Sequence, residues 1–172
     1  MKQFVIVTKL FLIFIICFSS CCDRPRPAVP MLPNSLSRLT LREVVKGVEA
    51  NKIMYRMHGR LTGSRSNSII GYYSFNTKKN VLYVTAFENN EQAENVLEKM
   101  VSKMKNTAFG FSPPTVVKTD DYTVYRTKGM GLAHFYFRSD NLLIWWQVEL
   151  DNADTTFVAV QAHFSVKRQS SK

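Results

Sequence analysis

Between Leu36 and Val166 the apolar positions recur with two different spacings, every second residue in some stretches and every third or fourth in others, which predicts strands mixed with helices. The strongest helical stripe is Ala93, Val96, Leu97, Met100, Val101 and Met104, and it predicts a helix over 91–105. Asn89 or Asn90 stands at the cap, Glu91 and Glu94 follow, and Lys99, Lys103 and Lys105 gather toward the end, so each charge suits the helix dipole. Earlier, Thr40-Leu41-Arg42-Glu43 has the spacing of a capping box with Val44, Val45 and Val48 behind it, which predicts a short helix to about Ala50. From Ile53 to Thr62 the period is two. Ile53, Tyr55, Met57 and Leu61 fall on one side, and Met54, Arg56, His58 and Arg60 on the other, as in a half-buried strand.

Further strands are predicted at 69–75 and 81–87, separated by the turn Asn76 to Asn80, and at 115–118 and 122–127 after Pro113-Pro114. Residues 132–138 and 142–149 read as a hairpin around Ser139-Asp140-Asn141. The last segment satisfies both periods: Phe157, Val160 and Phe164 share a helical face, while Val158, Val160, Ala162, Phe164 and Val166 alternate. Helix is preferred there, because Asp151 can cap it and Asp154 enters its first turn. The order of elements implies an α+β domain over 36–166, with an antiparallel sheet of five to six strands and two or three helices packed on one face. Residues 167–172 form a basic tail.

The N-terminus follows a different pattern. Lys2 and Lys9 precede the nine-residue apolar run Leu10–Phe18, and Ser19 and Ser20 lead into Cys21, as in an export signal over 1–20. Such a run is far short of the roughly 20 residues that span a bilayer. The segment Phe18-Ser19-Ser20-Cys21 resembles the lipobox of bacterial lipoprotein precursors. The resemblance implies that Cys21 receives a diacylglycerol on sulfur, that the signal is removed just before it, and that the new amino group can then be acylated. Phe18 stands where leucine is usual in that family, and Cys22 is a competing acceptor. Two further readings stay open: an ordinary secretory signal cut before the cysteines, and an uncleaved anchor starting at Phe4.

From Asp23 to Ser35 the chain holds four of its six prolines, Pro25, Pro27, Pro30 and Pro33. Extended polyproline geometry gives these thirteen residues a reach of about 40 Å, so 21–35 reads as the lipid-attachment cysteine and a tether, in preference to a proline-motif ligand.

Composition narrows the chemistry. All three cysteines, Cys17, Cys21 and Cys22, lie in the first 22 residues, which excludes a disulfide framework, a cysteine-ligated metal and a cysteine nucleophile from the domain. The whole chain carries +10; removal of 1–20 leaves 21 basic against 13 acidic residues, or +8. In an exported protein that excess points toward anionic membrane or envelope surfaces, and no nucleic acid is expected as a partner.

No HExxH, GxSxG or GxxxxGK[ST] pattern is present, and Gly129-Met130-Gly131 lacks the third glycine and helix start of a dinucleotide site. Asp120 and Asp121 are adjacent, so on a strand they point to opposite sides and read as solvated turn acids. One constellation remains. Arg56, His58 and Arg60 share one strand face, and His134, Tyr136 and Arg138 share another, with Arg126 beside them; together they form a candidate site for a phosphate, carboxylate or acidic glycan. The alternative is a solvated polar face. A metal site on the two histidines is weaker, since no carboxylate is spaced to complete it, and no cofactor is indicated. Trp145 and Trp146 must face opposite ways on a strand, so one can belong to the core and the other to a binding surface.

The sequence therefore predicts a lipid-anchored protein of the bacterial cell envelope, attached to a cell membrane or outer membrane, whose domain binds another envelope protein or an anionic ligand without catalysis. A hydrolase using His58 or His134 with neighbouring arginines, and a structural or assembly component, are the alternatives.

Overall fold

Eight strands and three α-helices are present in the computed structural model, which describes residues 25–58, 65–75, 78–106, 110–119 and 123–165. The strands are β1 (Ser35–Leu36), β2 (Leu39–Lys46), β3 (Asn67–Phe75), β4 (Lys78–Ala86), β5 (Thr115–Lys118), β6 (Thr123–Gly129), β7 (Leu132–Ser139) and β8 (Leu142–Glu149). Helix α1 (Val48–His58) links β2 to β3, α2 (Asn90–Met104) follows β4, and α3 (Ala153–Ser165) follows β8 through a 3₁₀ turn. All strands form one antiparallel sheet in the order β1-β2-β3-β4-β8-β7-β6-β5. The α+β class follows from the sequence pattern, with eight strands in place of five or six.

The predicted order of helix then strand over 40–62 is reversed. Residues 39–46 pair with β3, with a register shift between Leu41 and Glu43, because β-branched Val44 and Val45 suit a pleated ladder better than a helix start. Gly47, at φ 65°, breaks the strand in a conformation that glycine adopts freely. Beyond it, Ala50 and Met54 are buried and Ile53 is half-buried at helical spacing, so α1 takes over the stretch that alternation assigned to a strand. Arg60 and the rest of that alternating stretch, from residue 59 to 62, lie outside the described residues.

The sheet is covered on both faces, which corrects the expectation of helices on one. Leu82, Val84, Phe135, Phe137, Ile144 and Trp146 meet Phe157, Val160 and Phe164 of α3. On the opposite face Ile70, Tyr83, Tyr136 and Trp145 meet Ala50 and Met54 of α1 and Ala93, Val96, Leu97 and Met100 of α2. A strand that is buried on both sides carries apolar residues at consecutive positions, and this is why Leu142 to Trp146 contains no polar residue. Both tryptophans are buried, one in each core.

Helix α2 forms as its sequence predicts, with the Asn89 side chain accepting from the Gln92 backbone N–H at 2.9 Å. Helix α3 settles the ambiguous segment. Its Thr156 hydroxyl accepts from Trp146 Nε1 at 3.1 Å and donates to the Asn152 carbonyl at 2.6 Å, pinning the helix to the sheet. The Met130-Gly131 turn joins β6 to β7 with both residues at positive φ, so these glycines serve a hairpin.

The proline-rich stretch is a second correction. Pro27 O accepts from Asn67 Nδ2 at 3.1 Å, Leu32 is buried against Gly71, and Pro33 O accepts from the Tyr73 hydroxyl at 2.8 Å. Residues 27–34 therefore lie over the α3 side of the sheet and belong to the fold. An extended chain covers flat apolar surface well when its prolines need no donor partner and its remaining carbonyls are met by side chains.

Candidate functional site

Helical geometry disperses the arginine and histidine constellation. Arg56 is exposed on α1 and His58 closes that helix, so the two do not share a strand face with each other. Arg126 pairs with Phe135 across β6 and β7 and points to the α3 face, where it meets Asp154 at 3.0 Å and lies 5.1 Å from the centre of the Phe135 ring. His134, Tyr136 and Arg138 project to the other face. The grouping of Arg126 with them is therefore incorrect, because neighbours in an antiparallel register share a face and Arg126 is registered with Phe135.

On the α2 face, Arg138 Nε donates to Glu94 Oε2 at 2.5 Å and its Nη1 to the Asp140 carbonyl at 2.9 Å. Its charge is matched by a helix that the sequence pattern alone did not place beside it. Tyr136 is wholly buried and stacked on Tyr125 with ring centres 5.8 Å apart, and burial holds its phenol well above the usual range.

His134 is the most constrained of the set. Trp145 Nε1 donates to its Nδ1 at 3.2 Å, and since an indole nitrogen can only donate, Nδ1 carries no proton. The ring proton is then on Nε2, which donates to the Gly129 carbonyl at 3.1 Å. Phe111 closes the pocket edge-on at 5.1 Å. Gly129 is required there: a Cβ at that position would stand 2.2 Å from the Phe111 ring. Burial lowers the His134 pKa, opposed in part by the Gly129 carbonyl. With both nitrogens engaged and 1% of its surface exposed, this ring is a structural element of the core, and neither general-base chemistry nor metal ligation is open to it.

A depression of about 280 Å³ lies at the β5–β6 edge, lined by Ser112, Thr115, Arg126, Thr127 and Lys128. Arg126 was anticipated as a binding residue; the other four were not, because their proximity depends on a bridge between Ser112 and β6. There Ser112 N donates to Lys128 O at 2.7 Å, and Lys128 N donates to Ser112 Oγ at 2.9 Å. Thr127 Oγ1 is hydrogen-bonded to Ser112, and Thr115 Oγ1 donates to Arg126 O at 3.2 Å. The hydroxyls are thus turned inward, and Lys128 is the exposed cation of the rim. Such a surface can receive one anionic group, at shallow depth. The neighbouring edge strand β5 is short, exposed along its length, preceded by Pro113-Pro114 and closed by Lys118, features that discourage pairing with another sheet.

Cys21, the lipid acceptor of the sequence reading, lies outside the described residues. No described helix is long and apolar enough to cross a membrane. No protein-family model matches the chain, and no curated protein or solved structure matches it.

Proposed function

We propose that the chain is an exported protein of the bacterial envelope, anchored by lipid on Cys21, whose domain binds a partner without catalysing a reaction. The observation that carries this reading is the apolar run Leu10–Phe18 closing on Phe18-Ser19-Ser20-Cys21, with no thiol after Cys22. Acylation at one cysteine with more than one chain gives an anchor that a single chain does not. Binding is favoured over catalysis because Arg65, Arg126 and Arg138 are each matched by a carboxylate and His134 is sequestered. The ligand is an anionic group, presented by another envelope protein or an acidic polymer and received at the Lys128 rim of the depression.

Feeding producing cells an alkyne fatty acid tests the anchor. Label enters the wild type and Cys22→Ala and is lost in Cys21→Ala; an unlabelled wild type recovered in the soluble fraction removes the reading. Titration with inorganic phosphate, followed through backbone amide shifts, tests the binding half. Shifts centred on Ser112, Thr127 and Lys128 that vanish in Lys128→Glu support it, and shifts spread evenly over the surface contradict it.

A further inference from the structure

Arg126 and Lys128 are the two charged residues lining the depression at the β5–β6 edge, and they share a face of β6. Lys128 is registered with Ala133 and Arg126 with Phe135, and both of these partners belong to the core on the α3 side. Two residues apart on one strand, the cations have Cα atoms about 7 Å apart, within reach of a single anion. The hydroxyls around them are engaged in the wall: Thr115 Oγ1 donates to Arg126 O, and Ser112 Oγ accepts from Lys128 N. Recognition at this place therefore falls to the two charges.

One of those charges already has a partner. Asp154, in the first turn of α3, meets Arg126 at 3.0 Å, yet its side chain is 78% exposed. Ion pairs in such surroundings are weak, because water solvates the carboxylate nearly as well as the guanidinium does. Asp154 also remains favoured by the N-terminal dipole of α3 when it releases Arg126. Asp151, in the 3₁₀ turn before α3, is a further exposed acid at this helix start. The guanidinium, by contrast, is held from behind. It lies over the Phe135 ring, which is buried and stacked on Phe157 with ring centres 4.2 Å apart. A departing Asp154 thus leaves Arg126 supported and facing the depression.

We infer that Asp154 is a built-in competitor for Arg126, and that the anion able to displace it is a terminal phosphate, either free or as a monoester. A carboxylate or a phosphodiester brings one negative charge, no more than Asp154 itself, and Asp154 has the advantage of a high effective concentration. A phosphate monoester carries about −1.5 to −2 at neutral pH on three oxygens. It can occupy the Arg126 fork and still engage Lys128, so it gains a contact that Asp154 does not make. The inference rests on anion binding at the Lys128 rim, and it is independent of the Cys21 anchor. It adds the class of anion and the residue that sets the selectivity.

The full chain, in neutral detergent, is titrated with inorganic phosphate, glycerol 3-phosphate, dimethyl phosphate and acetate, and the backbone amide shifts of Ser112, Arg126, Lys128 and Asp154 are followed. Free phosphate and its monoester are expected to bind with similar affinity, several-fold more tightly than the two singly charged anions. Asp154→Asn, a change at an exposed position that leaves the core intact, is expected to tighten binding of all four several-fold. Arg126→Gln is expected to abolish the preference for the doubly charged anions. Equal affinities across the four anions, or an Asp154→Asn chain that binds no more tightly than the wild type, overturn the inference; shifts still centred on Ser112 and Lys128 would then leave anion binding at the rim standing. Absence of shifts at the depression with every anion overturns the rim and the inference together.

Discussion

His134 illustrates how burial converts a candidate catalytic group into a source of pH sensitivity. Its indole and carbonyl partners fit the neutral ring with the proton on Nε2, and a second proton would break the Trp145 contact in a dry environment. In the unfolded chain a histidine titrates near its ordinary value of about 6.5. The folded ring binds that proton only at lower pH. Between these values the unfolded state holds more protons, so the stability contributed by His134 is complete above about pH 6.5 and declines as pH falls below it. Thermal melting followed from pH 8 to pH 5 should show a declining midpoint in the wild type and a flatter profile in His134→Gln. At pH 8 the variant should be less stable by about 1–3 kcal/mol, from the imperfectly replaced hydrogen bonds. A variant with the wild-type slope would place the titration elsewhere.

At the scale of single elements, residues 27–34 behave as a second covering piece, beside α3, on its side of the sheet. Leu32 Cδ1 would stand 2.6 Å from a Cβ on Gly71, a proximity that permits only glycine beneath it without rearrangement. Replacement of Leu32 by alanine empties that contact and should cost about 2–4 kcal/mol in denaturant unfolding. A change near zero would mean that the stretch is a tether after all. Helix α2 was readable from its stripe and cap because packing and local preference agree there. Around Gly47 they conflict. Thr40 to Glu43 mimics a capping box, yet the strand wins through its pairing with β3, a partner some thirty residues away that a local window does not include. Similarly, Arg56 and His58 alternate like strand residues, while the burial of Ala50 and Met54 decides for a helix. Proline content, read as extension, was informative about backbone shape and silent about the surface the extended chain would cover.

On the scale of the whole molecule, the fold class was legible because the two periods are local properties, whereas the faces were not. Which side of the sheet a residue joins depends on register and on where each helix crosses, and this separated Arg126 from His134 and brought Glu94 to Arg138. The depression at Ser112 was hidden for the same reason. Charge balance, in contrast, is a property of the entire chain and does not depend on register: residues 21–172 hold 21 basic against 13 acidic side chains, a formal +8. The central claim is that Cys21 is the lipid-bearing first residue of an exported domain, and mass spectrometry of the N-terminal peptide from membranes of producing cells tests it most directly. The account predicts a peptide beginning at Cys21 and carrying a diacylglyceryl mass; an unmodified peptide beginning at another residue would contradict it.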